Sequence, residues 1–247
     1  MTHINHLECN NGRRIAYCQS PGAGPGLVFL GGFKSDMQGS KAVHLEQWAR
    51  AQGRAFLRFD YSGHGESSGA FEEGCIGDWA ADAKAVIEAL CQGPQVLIGS
   101  SMGGWISLLL ARQMPEKIAA LIGIAAAPDF TEDSMWQQFS PAQKVQLEKD
   151  GRIELPSDYD EPYVITQKLI ADGRDQLVLR SPLALPFPVR LLQGTADDAV
   201  ALSVPLTLLE HADAADMSLK LIKGADHSFS TPDCLAEIER SLIDVLP

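Results

Sequence analysis

No apolar run in this 247-residue sequence approaches the roughly 20 consecutive residues that a membrane-spanning helix needs. The opening stretch, MTHINHLECNNGRR, holds no apolar core of the kind a secretory signal carries. Together these absences predict no stable membrane insertion and a protein that stays where it is made, in the cytoplasm. Cysteine is sparse and scattered: Cys9, Cys18, Cys75, Cys91 and Cys234 are odd in number and form no CxxC pair. That argues against a disulfide framework, leaves no CxxC metal knuckle, and predicts reduced, mostly buried thiols. Positive charge is also short, with 20 Lys and Arg against 32 Asp and Glu and a formal net charge of −12 at pH 7. Such a balance repels phosphate backbones and anionic bilayers, so no nucleic-acid partner is expected. HExxH, P-loop and GxGxxG signatures are all missing, and no metal or organic cofactor is expected. Internal repeats and low-complexity stretches are absent as well.

What the chain does have is enough apolar material, 45% of residues, to fill one sizeable core. Short apolar runs alternate with longer amphipathic stretches. Strands are expected at 13–19, 27–30, 55–59, 95–98, 118–125, 189–193 and 218–222. Helical spacing marks 40–53, then 76–90, 105–114 and 232–245. The run from Ile118 to Ala125 is apolar on both faces, as a strand covered on both sides should be. Alternation of this kind predicts an α/β fold with a mostly parallel central sheet flanked by helices. One stretch breaks the pattern. From about 128 to 188 there are helix-like pieces, clearest at 143–150 and 163–170, but no convincing sheet strand. A structureless loop of that length is rare in a compact domain, so a small helical cap inserted into a single domain is expected. Its Met135, Trp136, Phe139, Tyr159 and Tyr163 either line a cleft or form the insertion's own core.

Between the strand at 95–98 and the following helix stands Gly99-Ser100-Ser101-Met102-Gly103, a GxSxG pattern centred on Ser101. A sharp strand-to-helix turn forces its central residue into a strained conformation, and flanking glycines let the two backbones approach. The hydroxyl is then exposed above the sheet, at the positive end of the helix. The pattern resembles the nucleophile elbow of α/β-hydrolases, whose triad runs in the chain order Ser, Asp, His. Two backbone amides are expected to form an oxyanion hole. Met102 follows the nucleophile, and Phe33 lies in the glycine-rich loop after the strand at 27–30.

Six histidines are present, but only His227 falls in a loop between the last strand and the last helix, the position of the base. His3 and His6 belong to an amino terminus expected to be mobile, His44 to a helix, His64 to a structural turn, and His211 to a helix end. For the acid, Asp197 follows the penultimate strand in Gly194-Thr-Ala-Asp-Asp-Ala-Val200. Its neighbour Asp198 is the rival, and Asp129, after the strand at 118–125, is a minor one.

Four segments carry a narrower resemblance: Gly32-Phe-Lys-Ser-Asp-Met-Gln-Gly-Ser-Lys-Ala42, Phe59-Asp-Tyr-Ser-Gly-His-Gly65, the elbow continued through Trp105, and Gly194–Val200. Together they resemble the α/β-hydrolase-domain proteins that act as palmitoyl-protein thioesterases, some of them described as esterases of acyl glucuronides. The resemblance implies a cofactor-free serine hydrolase of acyl thioesters or esters, bearing Ser101, Asp197 and His227 with the Phe33 and Met102 amides. Its substrate would be a small-molecule or protein-linked acyl group. A general short-chain carboxylesterase is the alternative, followed by a non-catalytic binder on the same fold.

Overall fold

The computed structural model describes residues 3–9, 12–155 and 163–246. The amino-terminal part contains β1 (Asn5–Glu8), β2 (Arg14–Ser20), β3 (Ala23–Leu30), α1 (Ser40–Ala51), β4 (Arg54–Phe59) and α2 (Ile76–Leu90). The centre contains β5 (Gln95–Ser100), α3 (Met102–Gln113) and β6 (Ile118–Ile124). After it come α4 (Pro141–Asp150), β7 (Arg152–Leu155), β8 (Tyr163–Thr166) and α5 (Gln167–Asp175). The chain ends with β9 (Val189–Gly194), α6 (Ser203–His211), β10 (Met217–Ile222) and α7 (Pro232–Val245).

Eight of these strands form one sheet in the order β1-β2-β4-β3-β5-β6-β9-β10. The first two pairings are antiparallel and the other five are parallel. Because strand side chains alternate faces, each central strand feeds two cores. Val28, Leu30, Leu97 and Leu121 point to one core, which they share with α2 and α3. Leu27, Phe29, Val96, Ile98, Ala120 and Ile122 point to the other, shared with α1 and α7. This double burial makes the middle strands continuous apolar runs, and it holds their carboxyl ends rigid where the elbow departs. The five cysteines are free, with Cys18, Cys75 and Cys234 buried.

The expected architecture is present, with three local departures. His6 is not in a loose terminus: it lies in β1 opposite Ala16. The 128–188 stretch is not helical throughout. After a π-helical segment, Thr131–Trp136, and α4, an antiparallel pair of β7 and β8 intervenes. Thus 163–170, read as a helical piece, is a strand through Thr166 and a helix only beyond it. The Thr166 side chain accepts the Leu169 amide at 3.1 Å and so caps α5 at that boundary. Helix α4 has stronger local signals. Ser140 and Gln143 form a reciprocal capping box, Pro141 begins the helix, and Gly151 at φ 73° ends it.

Candidate active site

The elbow is built from what glycine permits. Ser101 adopts φ 53° and ψ −117°, a region L side chains rarely enter, and its amide donates to the Ile124 carbonyl at 2.9 Å. A Cβ on Gly103 would lie 2.1 Å from the Leu30 carbonyl oxygen, and one on Gly99 would lie 2.5 Å from the Gly103 oxygen. Only bare backbone fits at either place. The sharp turn therefore follows directly from the spacing of the motif.

Strand β9 runs into the turn carrying Asp197, and the loop after β10 carries His227. His227 Nδ1 lies 2.9 Å from Asp197 Oδ2, and its Nε2 lies 3.1 Å from Ser101 Oγ. A carboxylate only accepts, so Nδ1 bears the proton and Nε2 presents its lone pair to the serine hydroxyl. An imidazole held in this way can take the hydroxyl proton as oxygen attacks a carbonyl. The Asp197 side chain is fully buried, whereas that of His227 is 31% exposed. Asp197 Oδ1 accepts the amides of Ala199 at 2.9 Å and Val200 at 2.8 Å, while Oδ2 also accepts Gln193 Nε2 at 2.8 Å.

Neither rival acid joins this chain. Asp198 lines the cavity but does not approach His227 among the described contacts. Asp129 is fully buried at φ 58°, and accepts the amides of Val178 (2.8 Å) and Leu179 (3.0 Å) together with Arg180 Nη1 (2.8 Å). It anchors the end of the insertion to the end of β6. Burial raises its carboxyl above the ordinary range despite those donors.

Phe33, from the loop after β3, and Met102, the first residue of α3, flank the serine. Gly32 sits so close that a Cβ there would lie 3.4 Å from Ser101 Cβ, which brings the Gly31–Phe33 backbone alongside the nucleophile. The Phe33 ring is wedged edge-on among Phe71, Trp79 and Phe130, with centroids 4.9, 6.0 and 5.6 Å away.

Sequence reasoning left three supports of this site unassigned. His64, expected only to shape a turn, is buried beneath the loop after β3. Its Nε2 accepts the Lys34 amide at 3.3 Å, and its Nδ1 donates to the Ser62 carbonyl at 3.2 Å. That carbonyl is held in place because Asp82 accepts both the Ser62 amide and hydroxyl, at 2.9 and 2.6 Å. Lys41 reaches from α1 to the carbonyl of Ser228, the residue after His227. Burial pushes its ammonium below the ordinary lysine range. Gln193 is the third; its only signal was a polar side chain ending an apolar strand.

A cavity of about 1010 Å³ opens at Ser101 and His227. Its apolar lining comes largely from the insertion: Phe130, Met135, Phe139, Leu155 and Ile165. Asp36, Lys41, Asp198 and Ser228 supply polar groups from elsewhere. The open question about the insertion's aromatic residues divides residue by residue. Met135, Phe139 and Tyr163 line the cavity, whereas Trp136 packs edge-on to Phe139 under the cations of Lys144 and Arg174. Tyr159 lies outside the described residues.

Comparison with known proteins identifies the fold and the family. A model of the alpha/beta hydrolase fold matches residues 30–158. The chain is similar to palmitoyl-protein thioesterase ABHD10, mitochondrial, of Homo sapiens, at 37% identity over 228 residues, 92% of this chain and 74% of that one. Its fold is similar to mouse alpha/beta hydrolase domain-containing protein 10, with TM-score 0.91 and 32% identity over 98% of both chains. It is also similar to a protein from Agrobacterium vitis S4, with TM-score 0.94 and 34% identity over 100% of this chain and 99% of the other. The expectation of a cytoplasmic protein is corrected by these names, since the curated relatives are mitochondrial. An apolar stretch is the mark of a secretory signal alone; leaders for mitochondrial import are amphipathic and Arg-rich instead.

Proposed function

The chain belongs to the α/β-hydrolase family, with the palmitoyl-protein thioesterase ABHD10 proteins among its relatives, and from that premise we propose a serine hydrolase of acyl thioesters or carboxylic esters. The observation that carries the proposal is the unbroken hydrogen-bonded path from Ser101 Oγ through His227 to Asp197. His227 takes the Ser101 proton as Oγ attacks the acyl carbonyl. The amides of Phe33 and Met102 hold the oxyanion, each contributing about 3 kcal/mol on mutational precedent. The thiol or alcohol leaves with the proton from His227. Water, deprotonated by the same imidazole, then releases the acid from the acyl-serine.

The apolar lining supports an acyl chain as the group held in the cavity, and relatives named for palmitoyl-protein thioesterase activity support a long one. The test is hydrolysis of p-nitrophenyl esters of graded chain length and of an S-palmitoylated peptide, for wild type, Ser101→Ala and Asp197→Asn. Turnover is expected to fall about 10⁶-fold for the first variant and about 10⁴-fold for the second. Turnover confined to acetate and butyrate esters would replace this reading by a short-chain carboxylesterase. A wild type that leaves every ester intact and is not labelled by a fluorophosphonate would make it a binder.

A further inference from the structure

We propose that Gln193 is a positioning residue for the acid of the site: its side-chain amide locks the Asp197 carboxylate in the orientation that holds His227. The inference rests on the triad reading above and goes beyond it.

Gln193 is fully buried at the carboxyl end of β9. Its Nε2 faces three oxygens: Asp197 Oδ2 at 2.8 Å, the Val200 carbonyl at 3.3 Å and the Gly194 carbonyl at 3.5 Å. All three can only accept, so the NH₂ group must lie on this side, and a flipped amide would set oxygen against a carboxylate. The Oε1 atom is then turned away, and no donor of the chain reaches it among the described residues. Burying a carbonyl without a protein donor is unfavourable, and an apolar side chain of the same shape would avoid that arrangement. What glutamine alone adds here is the donor to Asp197.

That donor completes a set. A carboxylate offers about four lone-pair directions. Here they are met by His227 and Gln193 on Oδ2 and by the amides of Ala199 and Val200 on Oδ1. The two backbone amides come from Asp197's own turn, so they fix the carboxylate relative to that turn but not to the sheet. Gln193 ties it to the rigid end of β9. Without this tie, the carboxylate and the imidazole it orients could rotate together, which would misalign Nε2 with Ser101.

The experiment compares wild type, Gln193→Met and Gln193→Glu in three respects: the second-order rate of labelling by a fluorophosphonate, kcat and KM on a p-nitrophenyl ester, and melting temperature. Methionine keeps the volume and removes both the donor and the stranded acceptor; glutamate keeps the shape and turns the donor into a charge facing Asp197. Gln193→Met is expected to slow labelling and kcat in parallel by about 10–100-fold, the range for partners that orient a reactive group. KM is expected to stay put and the melting temperature to hold or rise. Gln193→Glu is expected to fall further in rate. Should Gln193→Met not fold, Gln193→Leu takes its place. A wild-type labelling rate in the apolar variant would overturn the proposal, as would a rise in KM at unchanged kcat or a rate loss that tracks a lowered melting temperature. A wild type that is not labelled at Ser101 would overturn the triad reading itself, and this inference with it.

Discussion

His64 holds the backbone amide of Lys34, with Nε2 3.3 Å from that nitrogen, one residue beyond the Phe33 amide proposed to meet the oxyanion. Lys34 sits at φ 56°, so the loop is bent there and needs an external tether. Only neutral imidazole can supply it, because protonation would turn the acceptor into a donor facing another donor. Burial lowers the pKa of His64 to about 4.

A pH-dependent stability difference follows. The folded pKa of about 4 lies below the ordinary histidine value of 6.5, so the unfolded chain binds the extra proton between these limits. Stability from this residue is complete above about 6.5 and lost as pH falls toward 4, about 3 kcal/mol in all. Asp60 acts in the opposite sense. Burial raises its carboxyl from 3.8 to about 6 although it accepts the amides of Met37 and Glu66, so acidification relieves a cost there. In wild type the two effects largely cancel. The variant His64→Gln keeps an acceptor for Lys34 and a donor for Ser62 without titrating. Its stability relative to wild type is expected to improve by about 2 kcal/mol between about pH 7 and about pH 4.5, read from urea unfolding. A gap that does not change with pH would show that His64 is not held neutral.

Strain at Ser101 predicts a second effect. Ser101 occupies φ 53° and ψ −117°, where glycine is at ease and a Cβ costs about 1–3 kcal/mol. Both Ser101→Ala and Ser101→Gly remove the hydroxyl, but only the glycine variant relieves the strain. Ser101→Gly is therefore expected to melt several degrees above Ser101→Ala, at roughly 2–4 °C per kcal/mol for a chain of this size. Equal melting temperatures would mean that the elbow stores no strain.

Local rules made the sheet, the elbow, His227 and Asp197 legible in the sequence. Doubly buried strands read as continuous apolar runs, and a GxSxG turn needs bare backbone at fixed offsets. Two of the features that escaped depended on contacts across long separations. His64 and Lys34 are joined across 30 residues, and Lys41 and Ser228 across 187. Gln193 acts on a residue only four positions away, yet nothing in a strand pattern says which way a buried amide points. The β7–β8 pair was missed because Tyr-Val-Ile-Thr leads straight into a helical run, and four residues cannot separate a period of two from one of 3.6.

Asp129 tests whether a buried carboxylate beside the site is structural. It satisfies the Val178 and Leu179 amides as well as Arg180, and stripping it would strand those two amides. Asp129→Ala is expected to cost about 2–4 kcal/mol of stability while leaving kcat within a few-fold of wild type where the protein remains folded. Asp197→Asn should show the opposite pattern, with little change in melting and a large loss of rate. If Asp129→Ala abolished turnover while still folded, Asp129 would have to be moved into the chemistry.

The cavity lining makes chain-length selectivity adjustable at one residue. Met135 lies in the π-helical segment, is partly exposed and faces the cavity along with Phe139, Leu155 and Ile165. Being partly exposed, it can accept a larger side chain without overpacking the core, unlike the buried Ile165. Met135→Trp would fill part of the volume that a long acyl chain needs and leave Ser101, His227 and the two amides untouched. Each methylene excluded from an apolar site is worth about 0.8 kcal/mol, so blocking even two should lower kcat/KM for palmitoyl esters roughly 15-fold. Acetate esters, which do not reach the wall, should be hydrolysed at the wild-type rate. A uniform loss across all chain lengths would mean that the acyl chain does not run along this wall, and the leaving group would then be assigned to it instead.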